Sequence, residues 1–194
     1  MQAARPYLPA MLLRRLPLYL CLLLLTQCSK CKNDPKPADP AAQLPPATQT
    51  GANTFGCLVN GRPWTPSGND GRANYRLSYD PGYAGGSLTI RVYRYPDNTS
   101  DYENMIFGGE RMAQPGVYPF VLVGDRKAFF ADYKLAPPCD DFSEAPALTY
   151  RTGNLTITRL DLSQGIISGT FTFTLAKPGC DTVRVTQGRF DKKL

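Results

Sequence analysis

The chain has 194 residues, with 22 Lys and Arg against 16 Asp and Glu, a formal charge of +6, and no histidine. The lack of imidazole excludes Ser-His-Asp and Cys-His nucleophile activation and removes the commonest general base and metal ligand. No long basic run is present, so the composition argues against nucleic acid as a partner.

The first predicted element is an export signal. Arg14 and Arg15 precede the ten-residue apolar run Leu16–Leu25, about half of the roughly 20 residues a spanning helix needs. Met11 offers a second start, giving a compact Met-Leu-Leu-Arg-Arg head. No small-residue cleavage triplet follows closely. Leu25-Thr26-Gln27-Cys28 instead resembles a bacterial lipobox, in which the Cys becomes the lipidated amino terminus. Its departure from the pattern is Gln27, where Gly, Ala or Ser is usual. This reading assigns residues 1–27 to a lipoprotein signal peptide and Cys28 to lipidation. The partner is then a membrane, reached through acyl chains, and the expected address is the outer membrane on its periplasmic or surface face. Two or more chains at about 0.8 kcal/mol per buried CH₂ anchor stably.

Residues 28–53 are expected to form a flexible tether. The stretch 29–52 holds five prolines and almost nothing to bury, which favours an extended spacer reaching up to about 75 Å. Removal of the signal leaves 19 basic against 16 acidic residues, a net charge of +3.

Residues 54–194 are long enough for one domain with a real core. Their apolar residues recur with period two. Leu88, Ile90 and Val92 share one face of 87–93; Phe171, Phe173 and Leu175 alternate with Thr170, Thr172 and Thr174. The stretches 154–158 and 181–186 do the same. Glycine and proline turn signals separate these runs, and no segment carries a helical apolar stripe. The expected fold is all-β, an antiparallel sandwich or open barrel of about eight to ten strands. Two hairpins stand out. Residues 57–64 turn at Asn60-Gly61, which suits a type I′ turn; strands 154–160 and 166–175 flank a loop ending in Gly165. A last strand through Gly188–Asp191 is expected to close the sheet, with Lys192, Lys193 and Leu194 frayed.

An opening Phe55…Val59-Asn60-Gly61…Trp64 is matched near the end by Ile167–Phe173 and then by Val185–Asp191. Together these segments resemble a family of uncharacterised β-rich lipoproteins of Bacteroidota. The resemblance covers most of 55–191, except the middle. It implies fold and envelope location, and its motifs are turn glycines and inward aromatics with no activity attached. Lys30, Lys32 and Asp34 are similar to charged export tags of such lipoproteins, and Asp181-Thr182-Val183 to an O-glycosylation tripeptide.

Of six cysteines, Cys21 leaves with the signal and Cys28 carries lipid. Cys31, Cys57, Cys139 and Cys180 allow three complete pairings in an oxidising compartment. Cys139–Cys180 is the expected bond because both sit in Pro-containing loops beside strands; Cys57 is a buried thiol or a partner, as Cys31 can be. No C-x-x-C lies inside the domain, so neither metal nor cofactor is implied.

Chemistry by carboxylate pairs would draw on Asp101 with Glu103, Asp140-Asp141 with Glu144, or Glu110, none in a recognisable glycosidase arrangement. Asp97-x-Thr99-x-Asp101-x-Glu103 alternates oxygen ligands but misses the glycine and bidentate Glu of a calcium loop. Trp64, Tyr75, Tyr79, Tyr93 and Tyr95 interleave with arginines as candidates for stacking on a ligand ring. The expected function is a non-enzymatic interaction or structural role in the envelope, with an envelope protein or a glycan as partner. The alternatives are a carbohydrate-binding accessory domain and a histidine-free hydrolase.

Overall fold

The computed structural model describes residues 39–95, 102–143 and 148–194. Among them are ten strands: β1 (Thr54–Val59), β2 (Arg62–Trp64), β3 (Tyr75–Asp80), β4 (Ser87–Arg94), β5 (Glu103–Gly109), β6 (Gly116–Pro119), β7 (Lys127–Asp132), β8 (Tyr150–Asp161), β9 (Ile166–Ala176) and β10 (Val183–Lys193). They form a six-stranded sheet, β2-β1-β10-β9-β8-β6, and a four-stranded sheet, β3-β4-β5-β7, every pairing antiparallel. The sheets pack as a sandwich and do not close into a barrel.

Alternation of side chains places one face of each sheet in the core. Leu88, Ile90 and Val92 of β4, and Phe171, Phe173 and Leu175 of β9, are all buried, as their spacing predicts. Rings join the layers at the centre. Phe107 of the smaller sheet lies 4.4 Å from Phe171 of the larger one, and Phe171 lies 5.1 Å from Phe55. Such ring pairs add about 1 kcal/mol each beyond the area they bury. Both expected hairpins are present. Asn60 (φ 48°) and Gly61 (φ 78°) make the left-handed pair between β1 and β2, and Gly165 (φ 66°) ends the loop between β8 and β9.

Two expectations need correction. First, the last strand does not fray at Lys192. It runs between β1 and β9, and Lys192 and Lys193 stay paired with Ile167 and Ile166, so only Leu194 lies beyond the strand. Second, the compact unit begins at Asp39 rather than Thr54. A 3₁₀ turn at Pro40–Gln43 is capped by the Asp39 carboxylate, and residues 44–53 lie as a strap on the outer face of the larger sheet. Leu44 is buried, and Pro45 passes so close to Gly56 that a Cβ there would meet its Cδ at 2.6 Å.

The strap is held by polar groups that two β-bulges turn outward. In β10 the register slips between Val185 and Gly188, with Gln187 at φ 55°. Val183 and Val185 face the core before the slip; Phe190 faces it afterwards, so Asp191 points out. A second slip, between Ile157 and Arg159 in β8, likewise turns Arg159 toward the strap, where it donates to the Gln49 carbonyl.

The Cys139–Cys180 disulfide is present, with Cα atoms 5.5 Å apart. It joins the loop leaving β7 to the turn between β9 and β10, tying the two sheets at one end. Closing 41 residues of chain stabilises by about 4 kcal/mol in the chain-entropy account. Buried Arg151 makes a further tie, donating to the carbonyls of Val121, Leu122, Ala128 and Ser143.

Candidate functional site

The disulfide end of the sandwich holds a cleft of about 590 Å³, lined by Arg62, Arg94, Glu103, Asp132, Phe142 and the disulfide among others. A second lobe of about 460 Å³ shares Arg62, Arg94, Glu103 and Asp132 and reaches Tyr95 and Lys134. Four elements supply these groups. β2 brings Arg62 and Trp64; β4 ends in Arg94, β5 begins at Glu103 and β7 ends in Asp132. Antiparallel pairing sets Glu103 opposite both Arg94 and Asp132.

Glu103 is buried and saturated. The Trp64 indole N–H donates to its Oε2 at 2.7 Å. Arg94 grips both oxygens, with Nε 2.8 Å from Oε2 and Nη2 3.2 Å from Oε1. The same guanidinium lies over the indole ring, 5.3 Å from its centroid. Charge-assisted bonds of this kind fix both partners. Asp132 differs. Its Oδ1 accepts the Lys134 backbone N–H at 3.1 Å, and its carboxyl is held above the usual carboxylate range. Partial burial is the main cause and the neighbouring Glu103 adds to it, which together outweigh that hydrogen bond and the cations nearby.

Beside the cleft, the outer face of the smaller sheet carries a tyrosine cluster. In β4 the core-facing residues are even-numbered, so Tyr93 and Tyr95 fall on the other face. Tyr95 lies 5.3 Å from Tyr102, and Tyr102 stacks on Tyr133 at 5.6 Å. Tyr133 is 53 % exposed and Tyr95 and Tyr102 half-buried. Tyr93 lies beneath the cluster, 5.7 Å from Tyr102. Its hydroxyl, within hydrogen-bond distance of the Asp70 carboxylate and the Arg72 carbonyl, pins the loop before β3. Burial raises the Tyr93 and Tyr102 hydroxyls above the ordinary phenol range, while the bond from Tyr93 lowers Asp70.

Of the five aromatic residues expected to stack on a ligand, the structure leaves one in this cluster with ring surface free. Trp64 is wholly buried, its N–H given to Glu103. Tyr75 and Tyr93 are also buried. Tyr75 and Tyr79 share the inward phase of β3, and Tyr79 donates to the Met112 carbonyl. Tyr95 remains, joined by Tyr102 and Tyr133. The phase of β4 against Leu88, Ile90 and Val92 is the signal in the sequence that separates Tyr95 from the inward rings.

Cys57 is a buried free thiol, pushed far above the ordinary thiol range by burial. Cys28 and Cys31, with Asp97, Thr99, Asp101 and Glu144, lie outside the described residues. Glu103 faces the cleft, whereas Asp140 and Asp141 belong to the loop after β7 and Glu110 follows β5. Among the described residues no three His, Cys, Asp or Glu side chains converge as metal ligands, and no helix is long and apolar enough to cross a membrane. Compared with known proteins, the chain matches no family model, no curated protein and no solved structure.

Proposed function

We propose that the chain is a lipid-anchored protein of the bacterial outer envelope, exported by residues 1–27 and held through Cys28. Its β-sandwich acts as a non-enzymatic interaction module. The resemblance to β-rich lipoproteins of Bacteroidota and the lipobox-like Leu25–Cys28 support the anchoring. The observation that carries the binding role is the strip Tyr95–Tyr102–Tyr133 beside a cleft of fixed polar groups. The non-enzymatic reading draws on Glu103, whose oxygens are already held by Trp64 and Arg94.

The same strip favours a glycan as ligand. Tyrosine rings offer flat apolar surface to sugar faces, and Asp132, Arg62 and Lys134 supply directed polar contacts at its edge. Two measurements test the proposal on the full chain in neutral detergent. Radiolabelled palmitate should enter the wild-type product and not the Cys28→Ser variant; equal labelling overturns the anchor. Glycan arrays should give binding that Tyr133→Ala weakens about tenfold. Silence on the arrays, or binding indifferent to both Tyr133→Ala and Tyr102→Ala, removes the glycan reading.

A further inference from the structure

A different groove, of about 450 Å³, runs along the edge strand β3 and the end of β10. It shares no lining residue with the cleft or the tyrosine strip. Four cationic residues line it, Arg76, Arg91, Lys192 and Lys193, and among the described residues no Asp or Glu does.

The arrangement runs against sheet stability. Arg76 of β3 stands directly opposite Arg91 of β4, and like charges in that relation repel. Neither arginine has an ion-pair partner among the described residues, and nor does Lys193. Lys192 is half-buried, donates to the Tyr75 carbonyl at 3.3 Å and sits 4.6 Å from that ring's centroid. Three cations with no ion-pair partner among the described residues, beside a fourth held only by a carbonyl and a ring, make a groove rich in unneutralised positive charge. Local sequence choices that oppose stability in this way concentrate at functional sites.

We infer that this groove binds a phosphate ester, with Arg76 and Arg91 reaching it from the sheet and Lys192 and Lys193 from the end of β10. Guanidinium groups match phosphate oxygens in paired hydrogen bonds, and ammonium groups add compact charge. The volume suits a single sugar-phosphate or one lipid headgroup rather than a long polymer. Both sources present the same chemistry.

The test uses the full chain carrying Cys28→Ser, so that no acyl chain is attached there, in neutral detergent with inorganic pyrophosphate as calorimetric probe. Binding should weaken at least about tenfold in the Arg76→Ala/Arg91→Ala double variant, and by less than about twofold in Arg184→Ala, which removes a cation from another groove. The double variant should melt at or above the parent's temperature, since it relieves repulsion, so lost binding is not lost folding. In parallel, phosphatidylcholine vesicles with and without phosphatidic acid are sedimented with each variant. Pyrophosphate binding that depends on Arg76 and Arg91 identifies a soluble ester. Retention by phosphatidic acid vesicles alone, with the same dependence, identifies a headgroup. Binding of neither probe, or equal binding by the double variant, overturns the inference.

Discussion

The clasp around Asp191 and the cleft around Asp132 both take a carboxylate at least partly out of water, yet they treat it in opposite ways. Asp191 accepts six hydrogen bonds, from Thr48, Thr50, Gly51, Ala52 and Ser168. Burial alone would raise its carboxyl, but the bonds from Ser168, Thr48, Ala52 and Gly51 together hold it well below the usual range. Among the described residues the backbone N–H of Lys134 donates to Asp132, and burial holds its carboxyl raised. A group whose capacity is filled from its own chain builds structure. One left short of donors has capacity for a ligand.

The sharpest way to break this comparison is to remove the clasp. Asp191→Ala strands the donors of residues 48–52 and Ser168 and should lower stability by about 4 kcal/mol in denaturant titration. A loss below about 1 kcal/mol would make the strap ornamental. Trp64→Phe comes next. It keeps most of the ring volume but takes one donor from buried Glu103, at about 2 kcal/mol. Gly56→Ala should cost about 1–2 kcal/mol by pushing Pro45 aside, and hydrogen exchange should show residues 44–52 opening first.

Acid sharpens the contrast. The folded-state pKa of Asp191 is depressed, so its contribution is complete above the unfolded value of about 4 and is lost as pH falls through the folded one. The acid-induced fall in stability below about pH 4 should therefore be shallower in Asp191→Asn than in the parent. Asp132 has the reverse sign: with its folded pKa raised, ionisation opposes folding at neutral pH. Asp132→Asn should change stability least, by about 0.5 kcal/mol and upward, measured at pH 7. A marked loss would show that the cleft depends on this charge for its fold.

The strands were legible because their apolar residues alternate, and the two hairpins because Asn60-Gly61 and Gly165 adopt positive φ. Cys139–Cys180 was legible from its loop settings. The strap was not. Its composition offers little to bury, and what fixes it is Asp191, some 140 residues away, exposed to it by a bulge at Gln187 that no local pattern announces. The aromatic site was legible in part. Strand phase separates Tyr95 from Tyr75 and Tyr79, but the burial of Trp64 depends on Glu103 and Arg94 meeting it from another sheet. Tyr102 and Tyr133 join Tyr95 only through the pairing of β5 with β4 and β7.

The strap also decides where mechanical load enters the sandwich. Tension arriving along the chain from the amino-terminal side meets the strap before it meets β1, and passes to β10 chiefly through the Asp191 carboxylate, with Arg189 at Pro45 and Arg159 at Gln49 beside it. That strand is gripped along both flanks by β1 and β9, so the pull is spread across the middle of the larger sheet instead of peeling a border strand. In single-molecule pulling, Asp191→Asn should convert one high-force rupture into an early low-force yield of the strap followed by the main event.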